Sequence, residues 1–303
     1  MVCLHQYHYA VLQNQNTVMR KNILTGLLIA SYAFATAQDS TNSAKSYFNA
    51  SLNFINNSVY YGRKDSMATP YLTPSIVYFH RSGFFIEGSF SYLVSSGNSR
   101  VDLSTIGAGY DFNIGNFQGE IAAEKFFYNS NSTNVKAEVQ GDISAMALYD
   151  FGFIETYLQS GVNFGNKNDY WLSWGIDHRF TLADEKLEIT PSFVLNSTTR
   201  NLYASYFGNR RFRPKKNGIQ PPTVTATLQD ASKLSLQNYE FSLPFSYTVK
   251  NFTIGITPYY SIPANPAVVT IKIKPVIGPT QTKVITEKTE NIFYFSLDAA
   301  IKF

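Results

Sequence analysis

Apolar and polar residues alternate along this chain from position 46 onward, in segments of about ten residues. The clearest segment is 135–149, where Val139 and Ile143 alternate with Glu138 and Asp142. Consecutive side chains of a strand point to opposite faces, so each segment predicts a strand with one apolar and one polar face. No long stretch has helical spacing, and the chain is therefore expected to be all-β.

Twelve such strands are predicted, with connections that alternate between short and long. The predicted strands are 47–56, 71–80, 84–94, 101–112, 117–128, 135–149, 153–165, 169–180, 187–202, 237–249, 252–262 and 290–303. An even strand number places both ends on one side, and outer-membrane barrels have short periplasmic turns and longer outer loops. The pattern predicts a single-domain, up-and-down antiparallel transmembrane β-barrel of about 12 strands over residues 38–303.

An apolar run at 23–35 is too short to span a bilayer, which takes about 20 residues. Arg20 and Lys21 precede the run, and it ends in a small-x-small pattern at Ala37. These features predict a signal peptide over 19–37 that is cleaved after Ala37.

Residues 1–18 have no place in that signal peptide and are interpreted as an upstream extension. The single cysteine, Cys3, lies in this extension. The exported chain is therefore expected to have no disulfide and no thiolate metal site.

The last predicted strand directs Phe293, Leu297 and Phe303 toward lipid, and Ser296 and Asp298 toward the lumen. This ending resembles the C-terminal strand of Gram-negative outer-membrane β-barrel proteins, which closes on an aromatic residue. The resemblance implies a location in the outer membrane, lipid and lipopolysaccharide as neighbours, and insertion by the barrel assembly machinery. It implies neither a function nor an oligomeric state.

Directing the apolar faces outward leaves a set of acidic residues pointing inward, opposed by Lys136, Arg179 and Lys302. The acids are Glu87, Glu120, Glu124, Glu138, Asp142, Glu155, Asp177, Glu188, Glu240 and Asp298. Five are expected to line the lumen: Glu138, Asp142, Glu155, Asp177 and Glu240. A water-filled lumen of this kind favours cations over anions. The same groups can instead pair with one another and fill a closed interior.

The predicted outer loop at 203–236 carries a basic cluster, composed of Arg210, Arg211, Arg213, Lys215 and Lys216. Arginine clusters suit phosphate groups, which lipopolysaccharide presents at this level of the membrane. A merely solvated loop accounts for the same residues. The net charge of +4 is too small to indicate a nucleic-acid partner.

Beyond the extension, the only histidines are His80 and His178, on strands far apart in order. Asp177 adjoins His178, but adjacent strand residues point to opposite faces and cannot act as base and orienting acid. We therefore expect a non-enzymatic barrel, without metal or other cofactor, that passes or binds a small solute through an acidic lumen. The alternative is a closed structural or interaction barrel that contacts lipopolysaccharide or a partner through basic loops. An outer-membrane hydrolase is the third hypothesis.

Overall fold

Twelve antiparallel strands close into a barrel in the computed structural model, as the alternation predicts. The structure describes residues 45–64, 69–95, 97, 99–132, 135–206, 223–275 and 278–303. The predicted extension 1–18, the signal peptide 19–37 and the basic cluster at 210–216 lie outside these residues.

Each barrel strand pairs with its sequence neighbours, and the first pairs with the last. The strands are β1 (Tyr47–Ile55), β2 (Tyr71–Phe79), β3 (Phe84–Leu93), β4 (Arg100–Ile114), β5 (Phe117–Tyr128), β6 (Val139–Asp150), β7 (Glu155–Gly165), β8 (Asp169–Asp177), β9 (Ser192–Thr198), β10 (Ser235–Ser242), β11 (Phe252–Pro263) and β12 (Ile292–Lys302). At the seam, the backbone N–H groups of Phe48 and Phe303 each donate to the other residue's carbonyl, at 3.3 and 2.9 Å.

Three neighbouring strands are interrupted near their periplasmic ends. Phe180–Leu182 continues β8, Leu187–Ile189 precedes β9, and Phe245–Val249 continues β10. Pro191 and Pro244 stand in two of the breaks, where proline withholds a ladder donor. Backbone bonds still cross the breaks, since Thr190 N–H donates to the Pro244 carbonyl at 3.0 Å. The barrel wall therefore stays hydrogen-bonded across the breaks.

The outer face of the barrel is apolar and the inner face is polar. Large exposed apolar side chains alternate with buried polar side chains along the strands. The exposed apolar residues include Phe90, Ile106, Ile121, Ile143, Leu158, Phe241, Ile256, Phe293 and Leu297. Exposed aromatic residues lie near both rims, including Phe151 and Phe153 at one end and Phe127 and Tyr170 at the other. This arrangement is that of a transmembrane barrel with its apolar band in lipid.

Smaller elements lie in the long connections. They are a hairpin of Val59–Tyr60 and Arg63–Lys64, a 3-10 turn at Val135–Glu138, a helix at Asn201–Tyr206, and a three-stranded sheet of Thr223–Leu228, Val268–Lys274 and Gln281–Thr286, which we name the outer sheet. Leu228, Val269 and Ile271 of the outer sheet form an apolar core together with Ala267. No helix among the described residues is long and apolar enough to cross a membrane.

Two predicted strands extend into residues that form a helical element instead. The strand predicted at 135–149 begins at Val139, because 135–138 form the 3-10 turn. A bulge follows between Val139 and Gly141, and its extra residue shifts the alternation by one. Val139 is therefore buried, where lipid contact was predicted. The strand predicted at 187–202 ends at Thr198, before the helix.

Candidate functional site: the acidic inner wall

The structure places the five predicted lumen-lining acids at different depths. Asp142 on β6, Asp177 on β8 and Glu240 on β10 are buried on the inner face. Glu155 begins β7 and forms an ion pair with Arg179 at 3.0 Å. Glu138 ends the 3-10 turn and so precedes β6 instead of lying on it.

Strand register joins several inward residues into one continuous row across nine strands. In order of direct pairing, the row runs Lys302, Asn49, Val77, Glu87, Gly107, Glu124, Asp142, Asn163 and Asp169. Barrel strands are tilted and staggered, so a row at right angles to them climbs around the wall. We call the segment from Glu87 to Asp169 the acidic row. It rises from the periplasmic part of β3 to the outer end of β8.

Gly107 allows two glutamates of the row to meet. A Cβ at this position would lie 2.8 Å from Glu87 Oε1 and 3.1 Å from Glu124 Cγ. Because glycine leaves that space free, the side chains of Glu87 and Glu124 reach across β4 and hydrogen-bond to each other. Two carboxyl groups in contact hold a proton or a cation between them.

The outer part of the row combines a carboxylate with an amide. Asp142 Oδ2 accepts a hydrogen bond from the indole N–H of Trp171 at 2.9 Å. Asn163 pairs directly with Asp142 in the register and is 1% exposed. Its Oδ1 has no hydrogen-bond partner among the described residues. An oxygen acceptor therefore lies beside a carboxylate on the inner wall.

Asp169 ends the row and has a structural role as well. Its Oδ1 accepts from Thr199 Oγ1 at 2.7 Å and from the backbone N–H of Asn201 at 2.6 Å. Its Oδ2 accepts from the backbone N–H of Leu202 at 3.1 Å. The carboxylate thus caps the first turn of the helix that follows β9.

Other inward acids are held by neighbouring side chains. Tyr294 donates to Glu240 at 2.9 Å, and Tyr71 donates to Asp102 at 2.7 Å. Arg100 forms an ion pair with Asp102 at 2.8 Å. Sequence reasoning missed Asp102, Asp111 and Asp169 as inward residues. The alternation along β4 was sufficient to find Asp111, whereas Asp102 is the extra residue of a bulge opposite β3 and points inward against that alternation.

The two histidines lie at exposed turns on the periplasmic side. His80 Nδ1 bonds to Ser82 Oγ at 2.8 Å within one turn, and His178 Nδ1 bonds to the backbone carbonyl of Phe153. No group of three or more His, Cys, Asp and Glu side chains among the described residues is arranged to hold a metal ion.

The barrel is similar to two solved porin structures. One is the KdgM porin, with 10% sequence identity, a TM-score of 0.43, and coverage of 85% of this chain and 99% of that chain. The other is the NanC porin, with 8% identity, a TM-score of 0.43, and coverage of 84% and 98%. No family model and no curated protein matches the chain. At this identity and TM-score the similarity establishes no function. The barrel is established by the strand pairing described above.

Proposed function

We propose that this protein is a non-enzymatic channel of the Gram-negative outer membrane that passes or binds a small cationic solute through its acidic lumen. The acidic row is the observation that carries the proposal. It supplies four acidic side chains, those of Glu87, Glu124, Asp142 and Asp169, along one climbing path of the inner wall.

Two of the three basic residues predicted to oppose the acids, Arg179 and Lys302, support the same proposal. Arg179 is committed to Glu155 at 3.0 Å, near the periplasmic end. The Lys302 ammonium lies 3.8 Å from the centre of the Tyr47 ring, at the foot of the wall. Neither neutralises the row between Glu124 and Asp169. Rings and rows of Asp and Glu side chains favour cations in a pore.

The test is single-channel recording in planar bilayers with a KCl gradient, using protein purified from the outer membranes of an expressing bacterium. We expect stable conductance steps with a cation-selective reversal potential. The double variant Glu124→Gln with Asp142→Asn removes two acidic groups from the row and should shift that potential toward zero. The control, Asp184→Asn with Glu185→Gln, removes two charges from an exposed turn and should leave the potential unchanged. Equal reversal potentials in both variants would contradict the acidic pathway.

Export and insertion belong to the same proposal. We propose cleavage after Ala37, and recognition of β12 by the barrel assembly machinery. The alternation along β12 supports the second point, because Phe293 and Leu297 are exposed while Tyr294 and Ser296 are buried. The intact mass of protein recovered from the outer membrane would contradict the first point if its N-terminus were not residue 38.

A closed interaction barrel remains the second candidate, and the outer sheet favours it. Lys272 and Lys274 are exposed on its central strand and pair across to Thr225 and Thr223. Lys283 is exposed on the next strand. Such lysines suit the phosphates of lipopolysaccharide. A folded protein that conducts no ions but binds lipopolysaccharide would support this candidate over the channel.

A further inference from the structure

The connection between β1 and β2 reaches into the outer mouth of the barrel. Its hairpin turns at Gly62, where a Cβ would lie 2.9 Å from Asn238 Cβ and 3.3 Å from Ser261 Oγ. Asn238 and Ser261 are fully buried, on the inner faces of β10 and β11. The connection begins at β1, on one side of the β1–β12 seam. It therefore extends past β12 and packs against β10 and β11.

Two tyrosines carry the hairpin further around the wall. Tyr61 is buried and hydrogen-bonds to Thr198, the last residue of β9. Burial raises the pKa of the Tyr60 phenol, and the negative charge of Asp169 on β8 raises it further. The hairpin thus approaches the outer end of the acidic row.

Arg63 fastens the hairpin to β10 and to the connection between β11 and β12. Its Nε forms an ion pair with Glu287 Oε2 at 3.0 Å, and its Nη1 donates to Gln237 Oε1 at 3.1 Å. Its Nη2 donates to the carbonyl of Asn265 at 3.3 Å. Glu287 also accepts from Tyr203 at 3.0 Å, so its carboxylate is itself held in place. The fixed fork of a guanidinium makes several such bonds at once, which an ammonium cannot reproduce.

We infer that this hairpin sets the size limit of the channel and that Arg63 is the positioning residue that holds it across the outer mouth. The inference rests on the proposed channel function. A solute that enters from outside passes between the hairpin and the remaining wall before it reaches the acidic row. Loss of Arg63 frees the hairpin from Glu287 and Gln237 and widens the entrance.

The test combines single-channel conductance with exclusion of polyethylene glycols of increasing size. For Arg63→Met we expect unit conductance to rise on the order of twofold, together with a larger exclusion limit. Arg63→Lys keeps the charge but loses the fork, and should lie between Arg63→Met and the wild type. Lys64→Met is the matched control, because Lys64 is the exposed neighbour in the same hairpin.

A disulfide between the hairpin and β10 provides a second test, because it restores the attachment that Arg63→Met removes. In a Cys3→Ser background, Gly62→Cys and Asn238→Cys place two Cβ atoms 2.9 Å apart, and these must separate by about 0.6–0.9 Å to reach disulfide geometry. The φ of +74° at Gly62 strains any side chain there, so the reduced double-cysteine protein is the reference for the oxidised one. Oxidation in the Arg63→Met background should restore the smaller conductance, and a reductant should reverse the effect.

The outcomes separate this inference from the channel proposal. A silent wild type with a conducting Arg63→Met variant supports the inference, because the hairpin then blocks the pore completely. In another outcome, the wild type conducts, and Arg63→Met and the oxidised pair have the same conductance and exclusion limit as the wild type. That result overturns the inference and leaves the channel proposal standing. Folded but silent wild type and Arg63→Met together overturn both.

Discussion

At the scale of single residues, Gly107 decides how two acids of the inner wall meet. Its backbone conformation is ordinary for a strand, so the requirement for glycine comes from space. Glu87 Cγ lies 3.0 Å and Glu124 Cγ 3.1 Å from where a Cβ would stand. A methyl group at this position therefore pushes the two carboxyl groups apart and breaks their hydrogen bond.

Gly107→Ala tests this contact. We expect a loss of about 1–3 kcal/mol in the free energy of unfolding, because an added methyl overpacks the space between two side chains. We also expect a changed cation conductance. Gly88→Ala is the control, since its Cβ would meet only the Thr105 carbonyl at 3.8 Å. Urea unfolding in lipid vesicles and bilayer recording measure the two effects. Equal losses at both positions would show that the contact does not matter.

At the scale of elements, Asp169 connects β8 with the start of the longest connection. Its carboxylate accepts three hydrogen bonds from residues 199–202, about one helical turn. The helix at Asn201–Tyr206 is too short to be stable alone, so this cap determines whether it forms. The outer part of β9 and the helix are thereby held to β8.

Asp169→Ala should loosen that element by about 1 kcal/mol, the usual effect of losing a helix cap. The expected result is faster protease cleavage after β9 while the barrel remains intact by heat-modifiable gel mobility. Asp169→Asn keeps one acceptor oxygen and should recover part of the resistance. Glu290→Ala, at an exposed position, is the control. If both alanine variants were cleaved at the wild-type rate, the cap would have no such role.

The sequence predicted the barrel strands well and the connections poorly, for physical reasons. Alternation is a local signal, and lipid on one face enforces it strand by strand. The hairpin at 59–64 depends on distant partners, because Arg63 bonds to residues 174 and 224 positions away. The bulge in β6 was missed for a related reason: Val139 looks apolar and lipid-facing until register with β7 shows the extra residue.

At the scale of the whole molecule, the apolar band determines where the barrel resides. Ile256 is 45% exposed at mid-strand and pairs with Phe245 and Leu297, whose side chains share the outer face. In water this surface would drive aggregation, whereas hydrocarbon accepts it. The polar wall inside and the apolar wall outside thus invert the usual distribution of a soluble protein.

Ile256→Arg places a charge in that band. We expect a loss of about 2–4 kcal/mol in folding free energy in lipid vesicles, the range for arginine near the bilayer midplane of a barrel. Val284→Arg is the control, because Val284 is 57% exposed in the outer sheet. The measurement is reversible folding in urea. Losses within experimental error of each other would place Ile256 outside the hydrocarbon.

The seam between β1 and β12 also bears on how the protein is made. These two strands are the first and last of the barrel to leave the ribosome, yet each is the other's neighbour. A chain that stops before β12 forms a sheet with two unpaired edges, which is prone to aggregate. A shorter chain that lacks β12 is therefore not a functional barrel, and the nascent chain has to stay unfolded until its last strand has been synthesised. Barrel closure is all or none, and we expect a truncated chain to be degraded by proteases.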